Sequence, residues 1–159
     1  MIRKMEERDI PAVRQVAAES WHDTYEGIIP RGIRERFLSA AYSPASLKRR
    51  LEQSILYVAE HHDTVVGFAN FSRLPDTGDA ELSAIYLLPA YQGRGLGTAL
   101  LESGIGELSG AERLYITVER ENRNGIRFYQ ASGFSTVDEF EEDFGGHTLN
   151  SIRMMRSLR

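Results

Sequence analysis

Between residues 88 and 102 the chain reads LLPAYQGRGLGTALL, and this stretch limits the fold more than any other. Pro89 ends the apolar run before it, because proline holds Leu88 extended and donates nothing to a sheet ladder. Glycines follow at 93, 95 and 97, ahead of an apolar run of helical spacing. A strand, a glycine-rich turn and a helix start leave the first helical N–H groups unpaired at the positive end of the dipole. With no side chains in the way, an oxyanion can reach them. Arg94 adds a formal positive charge, which suits a diphosphate better than a carboxylate, so a pyrophosphate is expected over Gly93 to Thr98.

Two known phosphate motifs do not fit the stretch. GxxxxGK[ST] occurs nowhere, and the GxGxxG spacing meets Thr98 or Leu100 where its last glycine belongs. Glu119, at the end of the next strand-like run, is still placed to mimic an acidic ribose contact, so a dinucleotide enzyme stays open as an alternative. Glycines that only form a tight turn are the plainer alternative.

The rest of the chain supplies an α/β frame. MIRKM reads as a short strand, and Asp9 as the cap of a helix that places Ile10, Val13, Val16, Ala17 and Trp21 on one face. Helices are expected over 31–41 and from Pro44, with Ser43 as cap. ILYVAEH and VVGFANFSRL flank HHDT as a hairpin with a turn slightly longer than two residues. A strand over 80–88, a helix after Gly97 that Gly104 and Gly106 weaken, and a strand over 113–119 come next. A helix runs from about Asn122 to Gly133, and two strands around the GGH turn close the order. A crossover helix joins the strands on either side of the glycine loop, so that pair is parallel.

The 159 residues suit one domain, 1–159, and 42% hydrophobic with 26% charged residues is ordinary for a folded chain. With no cysteine there is no disulfide scaffold, thiol nucleophile or iron–sulfur cluster. MIRKMEERDIPAV lacks a secretory apolar run, and no stretch approaches 18 apolar residues, so a cytoplasmic protein without membrane contact is expected. A net charge of −4 offers no attraction to nucleic acid and mildly favours cationic small molecules. His61, His62 and Asp63 fall in the hairpin turn with no further ligand at helical spacing, so no metal site is expected.

Gln92-Gly93-Arg94-Gly95-Leu96-Gly97 resembles the Q-x-x-G-x-G signature of the GNAT superfamily of N-acetyltransferases. The approach to it, Ile85, Leu87, Pro89 and Tyr91, is similar to the family's pattern, as is the downstream set Asn122, Gly125, Phe128, Tyr129, Gly133 and Phe134, with Gly125 in place of the usual alanine. The resemblance implies a single domain with a central mixed, mostly antiparallel sheet of six to seven strands, about four flanking helices, and a parallel strand pair at the cofactor cleft. It implies acetyl-coenzyme A as co-substrate and no metal, held by the main chain of Ile85, Tyr86 and Leu87, by Gln92 and the loop from Gly93 through Thr98, and by Asn122 and Tyr129. A homodimer is the family's habit.

By the same resemblance Tyr129 is the general acid for the leaving thiolate. Attack needs a neutral amine, and deprotonating an alkylamine of pKa ~10.4 at pH 7 costs about 4.6 kcal/mol. Glu81 is the candidate base, acting directly or through water. The segment W-x-x-x-Y-x-G-x-x-P, with Trp21, Tyr25 and Glu26, resembles the PaiA-type polyamine acetyltransferases and implies a small-molecule amine such as spermidine or spermine. Glu26, Glu81, Glu139, Glu141 and Glu142 are available to hold its ammonium groups. Core packing is the competing account of Trp21 and Tyr25, and a solvated strand face that of EFEEDF. A protein or peptide amine, or a non-catalytic acetyl-coenzyme A sensor, remains open.

Overall fold

Seven strands form one sheet in the computed structural model, which describes residues 1–159. They are β1 (Ile2–Lys4), β2 (Ile55–His61), β3 (Thr64–Leu74), β4 (Asp79–Leu87), β5 (Arg113–Glu119), β6 (Ser135–Phe144) and β7 (His147–Ser157), in the spatial order β1-β2-β3-β4-β5-β7-β6. Every pairing is antiparallel except β4 with β5. The helices are α1 (Ile10–Tyr25), α2 (Arg31–Ala41), α3 (Pro44–Gln53), α4 (Leu96–Glu107) and α5 (Arg123–Ala131), five rather than about four. None is long and apolar enough to cross a membrane.

The sheet divides the core in two. One face packs against α4 and α5 through Phe71, Leu100, Leu101, Leu114, Ile116 and Met154. The other receives α1 and α3 through Val13, Val16, Leu47, Val58 and Phe68. A smaller cluster of Trp21, Tyr25, Ile29 and Leu149 closes the far end of α1 against β7.

Three local expectations change. The hairpin turn between β2 and β3 is the minimal one, since His61 pairs with Thr64 and only His62 and Asp63, both at positive φ, lie between. That is the backbone of a type I′ turn, which follows the strand twist and which an Asp can enter. Asp9 precedes α1 without a side-chain capping bond. Its carboxylate instead takes both terminal nitrogens of Arg3, at 2.8 and 2.9 Å, and the Glu6 N–H at 2.8 Å. α4 continues through Gly104 and Gly106, because a Cβ at 104 would run into the Phe71 ring: glycine lets the helix lie close on β3.

One register feature positions everything that follows. β4 and β5 share two parallel rungs, Ala80 with Leu114 and Glu81 with Tyr115, and then diverge. Beyond them β4 pairs only with β3, so alternate main-chain groups of residues 82–87 point toward β5 and meet no strand. A bulge between Asn70 and Phe71, opposite Ser83, accompanies the split.

Candidate active site

The divergence of β4 and β5 opens a cleft of about 830 Å³, in the range of small-molecule sites. Ile85, Tyr86 and Leu87 of β4 and Thr117 with Val118 of β5 line it, together with the glycine loop, the first turns of α5 and the last turns of α1. Ser20 of α1 ties that helix to the wall by donating to the Leu87 carbonyl at 3.1 Å, and Gln92 reaches the same oxygen at 3.3 Å.

The glycine loop lines the cleft at Gly93, Gly95, Gly97 and Thr98. Ala99 N–H, bonded to the Gly95 carbonyl at 3.1 Å, is the first amide of α4 with a backbone acceptor, and no side chain caps the helix. The amides ahead of it are therefore free to meet an anion. The glycines differ in purpose. Gly93 and Gly95 are at φ of 77° and 82°, a left-handed conformation that side chains strain. Gly97 is buried, and its Cβ would stand 3.2 Å from the Phe128 ring, so its smallness sets the approach of α4 to α5. Arg94 lies outside the lining and its guanidinium rests over the Tyr91 ring, 5.1 Å from the centroid. Leu96 likewise turns into the core. The side-chain cations on the cleft wall are Arg123 and Arg127, one turn apart on α5, which the motif reading passed over.

Asn122 caps α5 by accepting the Gly125 N–H at 3.0 Å while lining the cleft. A Cβ at Gly125 would come within 2.7 Å of the Asn122 amide nitrogen, which accounts for glycine where alanine was expected. Tyr129, also on the lining, sits between Phe128 and Phe134, at ring distances of 5.5 and 5.7 Å. Burial, then the neighbouring Tyr25, pushes its pKa up, so the phenol keeps its proton at neutral pH.

On the α1 side the structure separates residues that the sequence grouped. Tyr25 reaches the cleft. Trp21 does not; it is buried between Phe37 at 4.4 Å and Tyr25 at 4.6 Å, in the core-packing role. Glu26 turns away to the buried Arg34, at 2.8 Å. Glu81 lies outside the lining, ion-paired with Arg153, which also donates to Thr117. Glu139 pairs with Arg120 on the sheet edge, and Glu141 and Glu142 stand on β6, off the cleft. The carboxylates that do line it are Asp23 on α1 and Glu121 before α5. Asp23 follows Trp21 by two residues and so faces another side of α1, and that this side meets the cleft is invisible in the sequence.

The model of the Acetyltransferase (GNAT) family matches residues 14–134. A spermidine N(1)-acetyltransferase from Thermoplasma acidophilum is 32% identical over 151 residues, covering 90% of this chain and 92% of that protein. A crystal structure of PaiA N-acetyltransferase from Thermoplasma acidophilum in complex with coenzyme A superposes with a TM-score of 0.86 at 27% identity, covering 99% and 98% of the two chains. The YncA acetyltransferase structure from Salmonella typhimurium, solved with its cofactor acetyl-CoA, shares the fold at a TM-score of 0.73 and 22% identity, covering 100% and 94%.

Proposed function

Because the chain belongs to the GNAT acetyltransferase family, whose co-substrate is acetyl-coenzyme A, we propose that this N-acetyltransferase acts on a primary amine of a small polyamine, by direct attack in a ternary complex. The observation that carries the reading is the cleft itself, which brings onto one lining the free loop amides, the acids Asp23 and Glu121, and the hydroxyls of Ser20, Thr24 and Tyr25. A diphosphate fits the amides. An acceptor with more than one ammonium fits the acids, since two carboxylates on different elements can hold the charge that is not reacting. The relative named for spermidine supports the same class.

The residues divide the work. The amides from Gly93 to Thr98 and the unpaired edge of Ile85 to Leu87 hold and aim the thioester. The edge N–H groups stabilise charge developing on its carbonyl oxygen. Tyr129, protonated and on the lining, supplies the proton that the departing sulfur needs. Glu81, off the lining and engaged by Arg153, is poorly placed to take the proton directly. A carboxylate nearer the cleft suits the base role better.

Thiol release from acetyl-coenzyme A, followed against a panel of spermidine, spermine, monoamines, aminoglycosides and peptides with a free N-terminus, tests the reading. Spermidine or spermine is expected to exceed a monoamine of matched length in kcat/KM by about tenfold or more, one extra ion pair in a partly desolvated site being worth about 1.4 kcal/mol or more. A panel in which only peptides react would replace the substrate class. Tight cofactor binding with no amine-dependent release would make the protein a sensor.

A further inference from the structure

Acetyl-coenzyme A carries phosphate in two places: a diphosphate in mid-chain, and a 3′-phosphate on the ribose, a monoester with a charge of about −1.5 to −2 at pH 7. The chain that binds it has a net charge of −4, so its overall field opposes capture and local cations have to supply the attraction. The loop amides serve the diphosphate. Arg94, the loop's own cation, is turned onto Tyr91 and off the lining. Arg123 and Arg127 are left as the basic side chains on the cleft.

Neither guanidinium has a counter-ion. The arginines beside β5 are engaged, Arg120 with Glu139 at 3.0 Å, Arg156 with Glu102 at 2.9 Å, and Arg153 with Glu81. Arg123 and Arg127 form no ion pair, and Arg127 donates only to the amide oxygen of Asn124 on its own helix. Both are exposed. The arrangement works against α5 itself, because like charges one turn apart repel and Arg123 stands at the first helical position, the positive end of the dipole. An anion accepted by both guanidiniums relieves that repulsion. The position fits as well. The Phe128 ring lies 3.2 Å from where a Gly97 Cβ would be, so the turn of α5 that bears Arg127 is beside the start of α4, where the loop amides are. A cationic acceptor is repelled by the same pair and left to Asp23 and Glu121.

Resting on the acetyltransferase reading above, we propose that Arg123 and Arg127 form the subsite for the 3′-phosphate of acetyl-coenzyme A, and that this subsite selects the nucleotide over its 3′-dephospho form. The two kinds of donor suit the two kinds of phosphate. Loop amides give single, fixed N–H bonds, whereas each guanidinium offers a fork that two oxygens can accept. A terminal monoester has three strong acceptor oxygens and can take both forks at once. A diphosphate phosphorus in mid-chain has fewer free oxygens and already faces the loop. Arg127 exchanges its Asn124 contact for the phosphate, so the gain comes from a charged acceptor replacing a neutral one. Discrimination between the two nucleotides therefore resides on α5, not on the glycine loop.

The test is calorimetry of acetyl-coenzyme A and of acetyl-3′-dephospho-coenzyme A, each against the parent and against a double variant, Arg123→Gln with Arg127→Gln. Both positions are exposed, so the fold tolerates the change, and an unaltered melting midpoint verifies it. The parent is expected to bind acetyl-coenzyme A about tenfold or more tighter than the dephospho form, the order of one charge-assisted contact. In the double variant acetyl-coenzyme A weakens by that same factor while the dephospho form changes by less than about twofold, so the preference vanishes. A variant that weakens both nucleotides equally, or neither, overturns the subsite. A parent that binds both nucleotides alike removes the subsite alone and leaves the acetyltransferase reading standing; a parent that binds neither brings down both.

Discussion

Glu81 shows what a single residue's letter conceals. Sequence position favours it as the base, because it lies on the strand that leads into the cofactor loop. What sets it aside is a partner 72 positions away, Arg153, which occupies its carboxylate. Tyr129 was legible for the opposite reason: its motif encodes a helix position, and the helix carries it to the lining whatever the distant neighbours are. Removing its hydroxyl should separate chemistry from binding. Tyr129→Phe is expected to lower kcat about a hundredfold while the acetyl-coenzyme A dissociation constant changes by less than about twofold. Equal losses in both quantities would make Tyr129 a binding group only.

Helices and strands followed from the periodicity of their apolar residues, since burial of one face is a local pattern. Glycine is harder to interpret within an element because its meaning depends on what lies across the gap. α4 holds two interior glycines, two residues apart, that look alike in the sequence and are opposites in the fold. Gly104 faces Phe71 with no room for a methyl group, whereas Gly106 faces open space. Gly106→Ala is expected to stabilise the protein by about 0.5–1 kcal/mol through helix propensity alone. Gly104→Ala gains the same propensity and loses more, about 1–3 kcal/mol from overpacking, so it destabilises on balance. Urea midpoints decide it, and midpoints that move in the same direction would contradict this packing of α4 on β3. The β2–β3 turn teaches a related lesson: His-Asp is an uncommon pair for a type I′ turn, and strand register overrode residue preference.

At the scale of the whole molecule, the parallel pair was legible because a crossover helix between two strands permits little else. The early parting of β4 and β5 was not, since it depends on where pairing stops. The N-terminal strand is also fastened by a long-range charge set: Arg3 bridges Asp9 and Glu60, at 2.8 and 2.7 Å. The Arg3 guanidinium holds the Asp9 carboxyl below its usual value of 3.8, against the opposing effect of burial and with help from the Glu6 N–H. A carboxyl with a depressed folded value stabilises fully above its unfolded value, and that contribution drains away as the pH falls through the folded one. The stability difference between the parent protein and Asp9→Asn should therefore be full at about pH 7 and shrink progressively as the pH falls below 3.8. Denaturant titrations along that descent measure it, and a constant difference would show that the charge of Asp9 is not what matters.

The two-rung ladder between β4 and β5 also bears on how the molecule endures. Its halves are hinged at one end, and in the proposed complex the thioester arm of acetyl-coenzyme A, lying along Ile85 to Leu87 where further rungs would be, acts as a removable pin. Capture of acetyl-coenzyme A then resists the opening of the sheet as well as feeding the reaction, in proportion to its concentration. Scarcity of the metabolite would loosen this catalyst as well as starve it.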